Sequence, residues 1–337
     1  MTRFVHFSLV LSAACALCAG GVVVGQQASP PGATKAAESA SRAERAAPQI
    51  ASLEVVLRGK DGAVEATYRG RLVEPPANAI ADPGATVPLV VFLHGAGERG
   101  DDNASQLKHF AGACAEPAFQ AKHPCYLLAM QCPADETWMA LARELKYGKD
   151  GKFATHRDEP TRAMRAVMQA LDEVLATKAV DRTRVYLTGL SMGGFGSFDL
   201  AARRPELFAA VVPICGGGDP ATAKRIAAIP FYIVHGSDDT VVPVENSRRM
   251  RDAILAAYAE HTKREREKAR GTPDDPRPMP KFAPNPMYRE YEKVGHDSWT
   301  PAYRFGDDGV LDWMFAQRRA TPGTAAPDAR DAANTRK

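Results

Sequence analysis

Six apolar runs, at 88–93, 125–130, 184–188, 209–214, 230–234 and 287–294, alternate with segments of helical periodicity along the chain. Most are nearly continuous, as in Pro88-Leu89-Val90-Val91-Phe92-Leu93, which is the pattern of strands covered on both faces. Between them, Met164, Val167, Met168, Leu171, Val174 and Leu175 fall on one face of a helix at 159–178. Met250, Ile254, Ala257 and Tyr258 do the same at 244–258, and a last helix at about 308–318 carries Leu311, Trp313, Met314 and Phe315. Such alternation predicts an α/β fold: a mainly parallel, twisted sheet with helices on both faces. Upstream, Leu53 to Leu57 and Ala66 to Val73 flank the turn sequence Gly59-Lys60-Asp61-Gly62, which predicts an N-terminal antiparallel hairpin.

The ends of the chain read differently. The first 25 residues carry one charge, Arg3, followed by a mostly apolar stretch from Phe4 to Ala19 and small residues before Gln26. This predicts a signal peptide at 1–25 and a secreted or periplasmic protein. The stretch is broken by His6, Ser8, Ser12 and Gly20 and is short for a membrane span. A lipid anchor through Cys15 or Cys18 is the lesser alternative. Residues 26–50 read as a flexible spacer and 319–337 as a disordered tail, both rich in Ala, Pro and charge. Residues 260–270 are almost all charged and 271–286 contain six Pro, so 260–286 is expected to be an exposed insertion. That leaves 51–318 as one folded domain. Lys and Arg total 43 against 40 Asp and Glu, a balance of +3 with no basic excess, so a nucleic-acid partner is not expected.

Of six Cys, four lie beyond the leader: Cys114, Cys125, Cys132 and Cys215. A strand over 124–131 would hold Cys125 and Cys132 about 23 Å apart, beyond disulfide reach. Cys114 could pair with either, and four buried thiols is the competing expectation. No pair has zinc-ligand spacing, so no metal is expected.

Chemistry concentrates in Gly189-Leu190-Ser191-Met192-Gly193. It follows the run 184–188 and opens a helical stretch at 192–203, the strand–turn–helix context in which a Ser is pushed out at the end of a sheet. The flanking glycines are needed because a Cβ there would clash. The arrangement resembles the nucleophile turn of α/β-hydrolases, whose acid and His follow the Ser in chain order. Downstream lie His235, His261 and His296. His261 falls in the charged stretch and His235 ends a strand. His296, on the loop after the last run, is the expected base. Ser237-Asp238-Asp239 offers two carboxylates, of which one can face the imidazole. The loop His94-Gly95-Ala96-Gly97-Glu98-Arg99-Gly100 is positioned to supply the amide of Ala96 beside that of Met192 as oxyanion donors, with His94 holding the loop.

Taken together, His94 to Asn103, Leu187 to Gly194, Pro213 to Asp219, His235 to Pro243 and Gly295-His296-Asp297-Ser298-Trp299 are similar to the exported-esterase group of α/β-hydrolases. That group includes polyhydroxybutyrate-depolymerase-like and feruloyl- or acetylxylan-esterase-like proteins, often described as predicted peptidases. The resemblance covers about 50–318. It implies a triad of Ser191, Asp239 and His296, the acid being placed by the pattern His-Gly-x-x-Asp-x-x-Val-Pro. It also implies the donors Ala96 and Met192, no cofactor, and a site mouth lined by Gln131-Cys132-Pro133 and Trp138. Trp138, Trp299 and Tyr303 are expected as pocket walls for a sugar or ferulate ring. The insertion 260–286 is a departure from the group.

The function expected is hydrolysis of a small or polysaccharide-linked carboxylic ester through an acyl-serine. A serine peptidase of the same fold stays open. Large peptidases of this fold gate peptides with an additional long domain, which the sequence does not suggest, and this favours esters. An inactive binding protein on a hydrolase scaffold is the third reading, opposed by the presence of all three triad residues.

Overall fold

The hairpin and the alternating runs assemble into one sheet. In the computed structural model the described residues are 48–77, 80, 84–140, 155–269, 285–304 and 309–319. They belong to a compact unit spanning Ala43–Lys337. The expected signal peptide, most of the spacer and insertion, and the tail beyond Arg319 lie outside the described residues.

Strands β1 (Gln49–Arg58), β2 (Val64–Glu74), β3 (Val87–Leu93), β4 (Tyr126–Met130), β5 (Val180–Leu190), β6 (Ala210–Ile214), β7 (Tyr232–Gly236) and β8 (Met287–Tyr291) run in the order β1-β2-β4-β3-β5-β6-β7-β8. β1 and β2 pair antiparallel, with a bulge at Leu57/Arg58, and β2 joins β4 antiparallel. From β4 to β8 every pairing is parallel, in registers such as Val91 with Leu187 and Leu187 with Val211. The hairpin and the mainly parallel sheet are therefore both present.

The continuous apolar runs now have a cause. Leu89, Val91 and Leu93 of β3 enter one core with Leu128, Leu187 and Val211. That core is closed by α3 (Arg162–Thr177), α4 (Met192–Arg203) and α6 (Glu245–Ala269). Val90 and Phe92 point the other way, into a second core with Leu127, Tyr186 and Val212. This side is closed by α1 (Phe110–Cys114), α2 (Pro117–Lys122) and α8 (Val310–Ala316). A central strand with helices on both faces has no side to leave polar. Each fully buried Leu or Val contributes about 1.5–3 kcal/mol.

Local signals set several boundaries. Thr161 Oγ1 accepts the amide of Met164 at 3.1 Å and caps α3, which begins there rather than at 159. The short helices α5 (Ala223–Ile226) and α7 (Trp299–Ala302) complete the set used below. β8 ends at Tyr291 rather than 294, because Lys293 takes a positive φ of 57° and turns the chain. It is a half-buried edge strand, not a fully covered one. The charged stretch continues α6 without a break to Ala269. At its far end the expected exposed insertion needs correction. Asn285 is buried, and its side chain binds the amide of Phe231 and the carbonyls of Ala227 and Ile229, fastening the approach to β8 onto the start of β7.

Candidate active site

The site forms where β5 turns into α4. Ser191 adopts φ 53° and ψ −116°, a conformation that residues with a Cβ rarely accept. Neighbouring backbone explains why Gly must flank it. A Cβ on Gly189 would lie 2.5 Å from the Gly193 carbonyl oxygen, and one on Gly193 would lie 1.8 Å from that of Leu93. The turn is tied down by Ser191 N–H donating to Ile214 O at 2.9 Å, and by Phe195 N–H to Ser191 O at 3.1 Å.

Three loops converge on Ser191. His296, on the loop after β8, has Nε2 3.0 Å from Ser191 Oγ. Its Nδ1 lies 2.7 Å from Asp239 Oδ2. The carboxylate accepts only, so Nδ1 carries the proton and Nε2 is left to accept the hydroxyl. The His296 loop is carried by Asp238 N–H donating to Val294 O and by Ser298 N–H to His296 O.

Asp239 sits on the loop after β7 and is 7% exposed. Its Oδ1 accepts the amides of Val241 and Val242, both at 2.8 Å. His235 is sealed beneath it. His235 Nε2–H donates to Val242 O at 2.9 Å and lies 3.2 Å from Asp239 Oδ2. Burial opposes ionisation of Asp239, but hydrogen bonds from His235, His296 and the Val242 amide outweigh it and hold the carboxyl below its ordinary range. Asp238, the other carboxylate of the pair, is exposed and accepts from Ser237 Oγ.

The loop after β3 faces the same turn. Gly95 packs against Leu190, to the point that a Cβ on it would meet the Leu190 side chain at 2.7 Å. The tight turn Ala96–Glu98 follows, and Met192 is the first residue of α4, whose leading amides have no acceptor within the helix. His94 is a brace, as expected. Its Nε2 accepts the Cys132 amide at 3.0 Å, its Nδ1–H donates to Gly95 O, and its ring packs on Trp138. Burial pushes its imidazole down to about 4, against partial opposition from the Gly95 carbonyl. Gln131 serves the same loop, donating to Glu98 O and Asp102 Oδ1 and accepting the Asn103 amide.

The expected pocket walls divide. Trp138 is fully buried and spends its Nε1–H on His94 O at 3.0 Å, so it cannot touch a ligand. Cys132 is sealed as well. The expectation that Trp138 lines the site mouth is therefore corrected: a large aromatic ring was needed to support the loop from behind. Trp299 is half-buried and meets the His296 ring edge-on at 5.3 Å. Tyr303 is 8% exposed, binds Thr188 Oγ1 through its hydroxyl and stacks on Phe110. It nonetheless contributes to a cleft of about 220 Å³ together with His109, Trp299, Thr300 and Arg304.

The sequence reading did not identify Glu98, His109 or the placement of Cys215. Cys215, buried below the turn, brings its sulfur within 4.8 Å of donor atoms of Asp239 and His296, the metal-capable group found among the described residues. A cation there would have to break the His296–Asp239 hydrogen bond, so the arrangement is better suited to moving a proton.

Residues 134–263 match the dienelactone hydrolase family. The chain is 33% identical to a thermostable esterase of known crystal structure, with a TM-score of 0.61 over 80% of this chain and 63% of that one. It is 26% identical to the putative esterase NocK of Nocardia uniformis subsp. tsuyamanensis, over 73% of this chain and 66% of the relative. It is 29% identical to a probable feruloyl esterase C of Aspergillus terreus over 32% of this chain and 39% of the relative. The chain thus spans just under two thirds of the length of the two more extensively matched proteins.

Proposed function

The chain is an α/β-hydrolase by fold, and on that scaffold we propose that it is an exported serine hydrolase of carboxylic esters. The observation that carries the reading is the continuous hydrogen-bonded row Ser191 Oγ, His296, Asp239 at the head of the β5–α4 turn. A serine hydroxyl is a weak nucleophile until a base takes its proton, and a base acts efficiently only when its tautomer is held.

In this reading His296 Nε2 takes the Ser191 proton as Oγ bonds to the ester carbonyl carbon. The negative charge that develops on the carbonyl oxygen is received by the amides of Ala96 and Met192. The carbon–oxygen bond of the ester then breaks, and His296 returns the proton to the departing alcohol. Water repeats the sequence on acyl-Ser191 and releases the acid. Asp239 keeps its negative charge and stabilises the imidazolium throughout. No step calls for a metal or a cofactor. The substrates proposed are acyl or feruloyl esters of carbohydrate, or small esters of similar shape. The Trp299 ring beside His296 and the likeness to a probable feruloyl esterase support that choice.

The test is p-nitrophenyl acetate turnover and labelling by a fluorophosphonate in the wild type and in Ser191→Ala. The wild type is expected to do both, and the variant neither, with unchanged circular dichroism. Undiminished labelling of the variant would overturn the assignment of the nucleophile. Cleavage of a peptide panel faster than an ester panel would overturn the ester reading in favour of a peptidase.

A further inference from the structure

A second imidazole–carboxylate pair stands beside the triad. Glu98 closes the turn that begins at Ala96 and is 8% exposed. Its Oε1 lies 3.4 Å from His109 Nε2. His109 is held at φ 59° and ψ −121°, nearly the conformation of Ser191. Non-glycine residues keep such a backbone where surrounding structure enforces it, most often at functional sites.

The neighbours of His109 locate it. Its ring meets Trp299 edge-on at 5.5 Å, and Trp299 meets the His296 ring at 5.3 Å. Through Glu98 it touches the oxyanion-side turn, and through Trp299 it touches the loop of the base. A cleft of about 220 Å³ is lined by His109 and Trp299 with Thr300, Tyr303 and Arg304. Arg304 stands at this cleft, exposed and without a side-chain partner among the described residues. Trp299 Nε1–H is buried and has no acceptor among them.

We propose that His109, oriented by Glu98, is a specificity-determining residue that reads a hydroxyl on a ring carried by the ester substrate, with Trp299 as the packing face. The inference rests on the esterase reading above. The carboxylate of Glu98 can only accept, so it favours the His109 tautomer with its proton on Nε2, the nitrogen that faces it at 3.4 Å. Nδ1 is then left as an acceptor on a residue that lines the cleft, matched to a hydroxyl. A ring without a hydroxyl would leave Nδ1 without a donor from the ligand, which is the way a polar site rejects an apolar analogue. Sugars and phenolic acids share this chemistry, and the substrates tested separate them.

The experiment compares kcat/KM for matched pairs: methyl 4-hydroxycinnamate against methyl cinnamate, and a mono-acetylated methyl xyloside against cyclohexyl acetate. In the wild type the hydroxylated member of at least one pair should be favoured about tenfold, the scale of one hydrogen bond. The pair that shows the preference names the source of the ring. His109→Ala should bring that ratio close to one, and His109→Gln, which keeps a hydrogen-bonding atom, should retain part of it. A residue that only held the fold would lower both members of a pair together. A wild-type ratio near one for both pairs, or a ratio unchanged in His109→Ala, overturns the proposal. A wild type that turns over no ester and takes no fluorophosphonate overturns the esterase reading, and this proposal falls with it.

Discussion

Asp239 accepts from His296 Nδ1 through one oxygen at 2.7 Å and from the amides of Val241 and Val242 through the other, each at 2.8 Å. The carboxylate therefore cannot rotate without breaking backbone bonds, and the imidazole it holds cannot present the wrong nitrogen to Ser191. Asp239→Asn keeps the shape but places an amide where only acceptors fit, so the tautomer is lost. The expected result is a fall in kcat of about 10³–10⁴-fold on p-nitrophenyl acetate. Asp238→Asn, one residue away but exposed, is expected to change kcat by less than about threefold, since exposed substitutions away from a site are near neutral. Equal losses in the two variants would overturn the role proposed for Asp239.

Two buried groups make stability depend on acid. The folded pKa of Asp239 lies below its unfolded value, so its contribution is complete above pH 4 and is lost as the pH falls toward the folded value. His94 acts in a higher window. Its folded pKa of about 4 lies below the ordinary 6.5, so the unfolded chain takes up the proton first. Stability from a neutral His94 is complete above pH 6.5 and declines until about pH 4, by a total of about 3 kcal/mol. Urea unfolding at pH 7.5, 5.5 and 4.5 should show that decline in the wild type and a shallower one in His94→Gln. A wild-type midpoint constant from pH 7.5 to 4.5 would contradict it.

Most of the sheet was legible because central strands are apolar on both sides, and Ser191 was legible because Gly189 and Gly193 have no alternative. Elements with mixed exposure were harder to read. β5 begins at Val180, four residues before its apolar run, because Val180 to Thr183 extend the strand at its partly exposed end. β8 was drawn too long because Lys293 carries no sequence mark of its positive φ. Trp138 was placed at the mouth by likeness to relatives, yet its fully buried ring supports the loop. The Glu98–His109 contact joins a tight turn to a strained residue preceding α1. No periodicity or spacing encodes such a meeting.

The close approach of β3 to the Ser191 turn makes Gly193 a sharp test of the fold. A Cβ there would stand 1.8 Å from Leu93 O and 2.5 Å from Leu93 C, both backbone atoms of a central strand. Relief would require the strand itself to move. Gly193→Ala is expected to cost more than about 3 kcal/mol or to prevent accumulation of folded protein. Gly97→Ala lies in the neighbouring loop, where a Cβ meets nothing within 4 Å. It should shift the urea midpoint by less than the equivalent of about 1 kcal/mol. Comparable midpoints for the two variants would show that the turn is looser than its contacts imply.

Cys114, Cys125, Cys132 and Cys215 are all fully buried, as the thiol alternative in the sequence reading expected. Burial raises the thiols of Cys114, Cys132 and Cys215, and the thiolate is the form that reacts. Cys114 and Cys125 lie 3.7 Å apart, a hydrogen-bonding separation, with the Gln120 amide nitrogen donating to the Cys114 and Cys125 carbonyl oxygens. Iodoacetamide at pH 8 should therefore leave all four unmodified in the folded protein, and leave the proposed ester hydrolysis unchanged even though Cys215 sits against Asp239 and His296. After reduction in urea all four should alkylate, as read by intact mass. Modification of Cys215 in the folded protein would mean that the floor of the site opens in solution. Activity would then depend on the thiol reagent as strongly as on a serine reagent.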